Sequence, residues 1–407
     1  MTLISPFAGL RPVDERAADV VAPPYDVLSS AEARVRAAGR PRSFLHISKP
    51  EIDLPEGTDP YSPEVYARAA SNLRQMLDDG GLARDAEPCY YVYRLVMGDH
   101  TQTGLVAAAS VAAYDSNRIR KHEFTRPAKE DDRVRQIEAI DAQTGPVMMA
   151  YRATERIDSL LESVTEATPT VDVTADYDVR HQLWVVDNDD TIDKITAVFD
   201  ALPAIYIADG HHRSAAAERV STDRSDGPES KDYFLSVIFP HDQMTVLDYN
   251  RVIKDLNART PAKLLEELAE HFTITPCSTP TKPANAHEFA MYLDGKWHLL
   301  TIKPERVPKD DPIARLSISL LSKYAIEPFL GITQPRTDKR IDFVGGARGL
   351  EGLEARVNSG EMAIAFALYP TQMNDLFAVA DANEIMPPKS TWFEPKLADG
   401  MVSHVLD

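Results

Sequence analysis

A short apolar run, Ile205-Tyr206-Ile207-Ala208, passes through Asp209-Gly210-His211-His212-Arg213 into the alanine-rich stretch Ser214–Val220. The first segment reads as a buried strand, and the last, with Glu218 and Arg219, as a helix. A strand, a tight polar turn and a helix in that order oblige the chain to build a sheet with a helix packed beside it.

The same alternation recurs along the sequence. Cys89–Met97 and Gly104–Tyr114 are β-rich runs around the polar Gly98-Asp99-His100-Thr101 turn, which suits a hairpin. Asp131–Ala142 reads helical, Pro146–Tyr151 extended, Ile157–Ala167 helical and Gln182–Val186 extended. Further on, Tyr233–Phe239 suits a strand, Pro261–His271 a helix, and Glu288–Lys303 a strand pair around Asp294-Gly295. A helix is expected over Pro312–Tyr324, turns over Gly331–Gly346 and Met386–Leu406, a strand over Ala363–Tyr369 and a helix over Thr371–Asn383. Near the start, Val65, Ala69, Leu73, Met76 and Leu77 share one helical face over Pro63–Leu77, and Gly80-Gly81 follows as a stop. The prolines before that helix keep any earlier helices short. There is no repeat of solenoid or propeller period, so the fold class is mixed α/β, of the α+β kind. Length allows two or three domains. The divisions expected are 1–115, 116–255 carrying the Asp-Gly-His-His-Arg box, and 256–407.

Charge narrows the partners. The 407 residues carry 44 basic and 63 acidic side chains, a net −19, which repels duplex nucleic acid and anionic lipid alike. Cys89 and Cys277 are the only cysteines, too few for a disulfide framework or a paired zinc site. No apolar stretch is long enough to span a bilayer and the start lacks a signal-peptide pattern, so a cytoplasmic protein is expected. Oligomeric state is open, and a homodimer is compatible with the sequence.

Three clusters offer chemistry. In the box, Gly210 permits close backbone approach, a helix N-terminus offers free N–H groups, and Arg213 can fork two phosphate oxygens. The same residues also suit a plain strand-to-helix turn capped by Asp209. In Arg118-Ile119-Arg120-Lys121-His122-Glu123, cations surround one carboxylate, which suits a general base or metal ligand as well as an ordinary charged loop. Pro388-Lys389-Ser390-Thr391, followed by Lys396, sets hydroxyls between lysines. It has the Lys-Ser/Thr end of a P-loop without the preceding glycines, so that motif is not assigned. Tyr25-Asp26 after Pro23-Pro24, and Asn250-Arg251, are weaker candidates for lining a cleft.

Taken with Pro6-Phe7 and Ala22-Pro23-Pro24-Tyr25-Asp26-Val27, these motifs resemble, in consistent order over nearly the whole chain, the bacterial and archaeal family catalogued as domain of unknown function 1015. The box is also similar to the phosphate-binding box of the ParB and sulfiredoxin superfamily, which includes free serine kinases. That resemblance implies a ParB/sulfiredoxin-like nucleotide-binding core and a phosphotransferase acting on serine or a similar small hydroxylated metabolite. ATP or ADP would be the donor and Mg²⁺ the metal. By that resemblance Asp209, His211, His212 and Arg213 are nucleotide-site candidates, and on the phosphotransferase reading Gly210, Lys121, Lys389, Ser390, Thr391 and Lys396 would join them in holding nucleotide or phosphate. Glu123, with His122 and Asp209, would be catalytic, Glu123 as base by residue type and neighbourhood. Asp209 and Glu123 would hold the metal, and Tyr25, Asp26, Asn250 and Arg251 the substrate. The chain departs from chromosome-partitioning members in lacking a helix-turn-helix after the box, and from redox members in having histidine where they have cysteine. The alternatives are a nucleotide-responsive switch without net chemistry and a metal-dependent phosphohydrolase in the same pocket.

Overall fold

The structure, a computed structural model, describes residues 2–224 and 226–406. It is mixed α/β, as the alternation requires, and divides into two units: Met1–Met244 with Pro395–Asp407, and Thr245–Glu394.

A nine-stranded sheet organises the first unit. Its order is Ile119–Arg120, Ile205–Asp209, Val147–Tyr151, Tyr233–Pro240, His100–Ser110, Tyr90–Met97, Arg180–Val186 and Val171–Thr174, with Ile4–Ser5 paired to His100–Ser110. The expected hairpin forms, but its turn is shorter than expected: Met97 already pairs with His100, and Gly98 takes φ +58°. Alternation along His100–Ser110 sends Leu105, Ala107 and Ala109 into one core with Met149, Ile205, Ile207 and Ile238.

At the sheet edge, Ile119 and Arg120 run parallel to Ile205 and Tyr206. This pairing carries the next residues, 121–123, toward the end of the box strand. The helix after the box, His211–Asp223, begins at His211 rather than Ser214, so Gly210 alone forms the joint. It packs against the helix Pro127–Ile140 through Val134, Ile137, Ala216 and Val220, joined by Leu406. The C-terminal stretch is more than turns: Ser403–Val405 lies between Gly9–Pro12 and Ala142–Gln143 in a four-stranded sheet.

The second unit is built on six antiparallel strands, ordered Phe272–Cys277, Lys296–Ile302, Glu288–Leu293, Ile364–Leu368, Tyr249–Ile253 and Ile341–Gly345. Both faces are buried. Phe289, Met291 and Leu293 enter one cluster, and Ala290 and Tyr292 enter the other, which is why these strands read as continuous apolar runs. The helix expected over Pro312–Tyr324 starts at Ser317, because the Asp311 carboxylate accepts the Ile313 and Ala314 N–H groups and holds the preceding stretch in a turn. It continues in wider π turns through Ser322–Leu330.

The three consecutive divisions expected from sequence are therefore not the units observed. Strands before residue 115 and strands after it share one sheet, and Thr245–Glu394 is an insertion within the first unit's chain. Thr245–Leu247 pairs with Trp392–Glu394, Thr245 lying opposite Glu394, so the insertion's two ends lie roughly 5 Å apart. Replacing Val246–Phe393 by a two-residue turn should leave the first unit folded, with a cooperative thermal transition and the far-ultraviolet spectrum of a mixed sheet. An aggregated or unstructured product would show that the first unit depends on the insertion.

Candidate functional site

Gly210 sets the geometry. At φ +102° it adopts a backbone that side-chain-bearing residues rarely take, and a Cβ there would lie 3.0 Å from Arg213 Cζ and Nε. Arg213 folds back over this gap, donating from Nη1 to the Pro146 carbonyl, and its side chain is largely buried. The helix has no side-chain cap. The Arg213 and Ser214 N–H groups bond the Gly210 carbonyl, which leaves those of His211 and His212 at the open end.

Carboxylates surround the arginine. Arg213 Nη2 is 3.8 Å from both Asp26 Oδ2 and Asp209 Oδ1, and Lys396 Nζ donates to Asp209 Oδ2 at 3.1 Å. Burial pushes the Asp209 carboxyl upward, but Lys396 and Arg213 outweigh it and hold the acid well below its ordinary range. Asp399 completes the cluster. Its backbone pairs with Ala22, and its Oδ2 accepts the Tyr25 N–H at 3.0 Å, which fixes the Tyr25–Asp26 turn. Burial, then the nearby Asp26, raises the Asp399 acid to about 7. The Tyr25 ring stacks beneath Arg133, whose Cζ is 4.1 Å from the ring centroid, and burial lifts its hydroxyl to about 12.

The histidines are neutral at pH 7. His122 and His211 are both buried, their rings edge-to-face with centroids 4.4 Å apart. Burial lowers His122 to about 4 and takes His211 well below 6.5, with His122 adding to the effect. The His122 N–H donates to His211 Nε2 at 3.4 Å, so the His211 proton resides on Nδ1. That Nδ1 has no hydrogen-bond partner among the described residues and lies 3.8 Å from Glu123 Oε2. Glu123 itself is exposed. His212 accepts the Arg126 N–H at 3.0 Å, tying the loop after Glu123 to the box helix.

The structure thus groups Tyr25, Asp26, His122, Glu123, Asp209, Gly210, His211, His212, Arg213 and Lys396 in the first unit. His211, however, is no phosphate-facing cation: it is buried, neutral and turned toward His122 and Glu123. Lys121 stands over the Tyr114 ring, its Nζ 3.7 Å from the centroid. Asn250, Arg251, Lys389, Ser390 and Thr391 belong to the second unit. Asp209 and Glu123 do not build a cage for Mg²⁺. Asp209 is engaged by Lys396 and Arg213, and among the described residues no three His, Cys, Asp or Glu side chains are placed to hold a metal ion. Sequence reasoning missed Asp399. The one available signal was Asp399-Gly400, where Gly400 takes φ +84° and its Cβ would meet the Phe44 ring.

Comparison with known proteins gives a family and distant folds. The sequence model described as "Protein of unknown function (DUF1015)" matches residues 4–319. No curated protein matches the chain. Among solved structures, a conserved hypothetical protein from Pyrococcus furiosus is 15% identical at a TM-score of 0.36, covering 72% of this chain and 93% of that one. A free serine kinase in complex with AMP is 13% identical at 0.36, covering 71% and 86%. SbnI from Staphylococcus aureus, with a C-terminal truncation, is 12% identical at 0.37, covering 71% and 82%.

Asp399 gives this cluster a pH dependence. With a folded pKa of about 7 against an unfolded value of about 4, the folded protein binds the extra proton between those limits, so stability from this group falls as pH rises through the window. Asp399→Asn keeps an acceptor for the Tyr25 N–H and removes the ionisation. The variant should gain on the parent protein as pH rises from 5 to 8, by on the order of 2–4 kcal/mol in urea unfolding. The opposing contribution of the depressed histidines is common to both proteins and cancels. Parallel pH profiles would refute the assignment.

Proposed function

The chain belongs to the DUF1015 family, and from the geometry of the box cluster we propose that it is a nucleotide-dependent phosphotransferase acting on a small hydroxylated metabolite, with serine the first candidate. One observation carries the reading: an open helix N-terminus beside Arg213 and Lys396 shares a unit with an exposed carboxylate, Glu123, that faces the Nδ1–H of a buried neutral histidine.

Phosphoryl transfer asks a protein chiefly for positioning and charge neutralisation. The His211 and His212 N–H groups receive phosphate oxygens of ATP or ADP, and Arg213, 3.8 Å from its carboxylates, and Lys396, hydrogen-bonded to Asp209, supply countercharge. Glu123 accepts the acceptor's hydroxyl proton as that oxygen bonds to the terminal phosphorus, and the bond to the leaving nucleotide oxygen breaks. His211, neutral and unable to repel the incoming proton, orients Glu123 through Nδ1–H. Asp26 and Tyr25, fixed by Asp399, line the acceptor side. Mg²⁺ would enter on the nucleotide's phosphates and neutralise their charge, since among the described residues no three His, Cys, Asp or Glu side chains are placed to hold it.

Purified protein with ATP or ADP, Mg²⁺ and serine, followed by phosphorus NMR, should yield a phosphomonoester. Glu123→Gln should lower turnover by about 10²–10⁴-fold while calorimetry shows nucleotide binding intact, and Arg213→Met should weaken binding itself. Phosphate release without a phosphorylated acceptor would favour the hydrolase. Nucleotide binding without any product would favour the switch.

A further inference from the structure

The second unit buries a positive charge that no acid pairs with among the described residues. Arg251, on the strand Tyr249–Ile253, is 2% exposed, with Cζ 4.9 Å from the Phe343 ring centroid and 5.7 Å from that of Tyr249. Its guanidinium donates to the Tyr249 carbonyl, to the Lys389 carbonyl at 2.8 Å and to the Pro388 carbonyl at 3.4 Å. Among the described residues no carboxylate forms an ion pair with it, in a chain where acids outnumber bases 63 to 44. Buried arginines ordinarily have such a partner. The carboxylates nearest to Arg251 along the chain are engaged elsewhere: Asp248 accepts from Asn250 Nδ2 at 2.5 Å, and Asp255 pairs with Arg340 at 3.5 Å. Burial accordingly lowers Arg251 to about 9.

A second cation lies on the loop that Arg251 holds. Lys389 adopts φ +59°, a left-handed conformation that costs a residue with a side chain. Its Nζ is 5.5 Å from the same Tyr249 ring, and among the described residues it too makes no ion pair. The loop is fixed from within: the Ser390 hydroxyl donates to the Pro387 carbonyl at 2.6 Å, and the Thr371 hydroxyl to the Ser390 carbonyl at 2.7 Å.

We propose that the loop Pro387–Thr391, with Arg251 behind it, binds a phosphate group, either free phosphate or a phosphomonoester. Two uncompensated positive charges match the roughly −1.5 to −2 that a phosphomonoester carries at neutral pH. The anion meets Lys389 and the loop directly, and Arg251 supplies a fixed charge while holding the Lys389 carbonyl. The inference uses residues of the second unit alone and does not depend on the phosphotransferase reading.

The test is calorimetric titration of the full chain with inorganic phosphate and, separately, with phosphoserine, alongside Lys389→Ala, Arg251→Met and Lys396→Ala. Saturable binding that weakens at least tenfold in Lys389→Ala and persists in Lys396→Ala is expected, and which of the two ligands binds more tightly identifies the source of the phosphate. Arg251→Met should weaken it further if that variant folds; the Lys389 comparison decides the matter if it does not. Absence of saturable binding, or binding unchanged in Lys389→Ala, would overturn the proposal. Loss confined to Lys396→Ala would assign the phosphate to the box instead.

Discussion

Arg213 is the interaction on which the first unit's polar cluster depends. Its guanidinium occupies the space that Gly210 and Gly145 leave without side chains, bonds the Pro146 carbonyl and stands between Asp26 and Asp209. Removing it would leave three carboxylates, with Asp399, sharing one pocket with Lys396 and Arg133. The positive φ of Gly210 is part of the same device, since any Cβ at that position collides with the arginine it serves.

The histidines of the box act through neutrality rather than charge. Two buried imidazoles in edge-to-face contact cannot both ionise, and burial favours neither ionising. The backbone N–H of His122 then selects the tautomer of His211. A sequence of two adjacent histidines and an arginine suggests a uniformly cationic cradle. The fold divides it into a neutral, buried half and a charged half.

How much of this was legible beforehand follows from the range of the interactions involved. Strand, turn and helix around residues 205–220 are local, and periodicity and propensity found them, as they found Pro63–Asp78 and the hairpin. The box stood out because glycine, histidine and arginine at a strand end have few other uses. Asp399 was invisible because its role arises from pairing with Ala22 and Tyr25, hundreds of residues away. The division into units was missed for a related reason: the ribbon that closes the insertion pairs residues 245–247 with 392–394, and no local signal marks such a partnership.

The return of Pro395–Asp407 to the first unit imposes an order in time. A ribosome releases Asp209 and Arg213 long before Lys396 and Asp399, with all of Thr245–Glu394 in between. At about 5–20 residues per second, that interval lasts roughly 10–40 s. Throughout it the nascent first unit carries its box without the lysine that neutralises Asp209, and its small sheet without the strand that joins Gly9–Pro12 to Ala142–Gln143. The box is thus completed only after Thr245–Glu394 has been translated, so a product released before that point would carry the motif without its electrostatic complement.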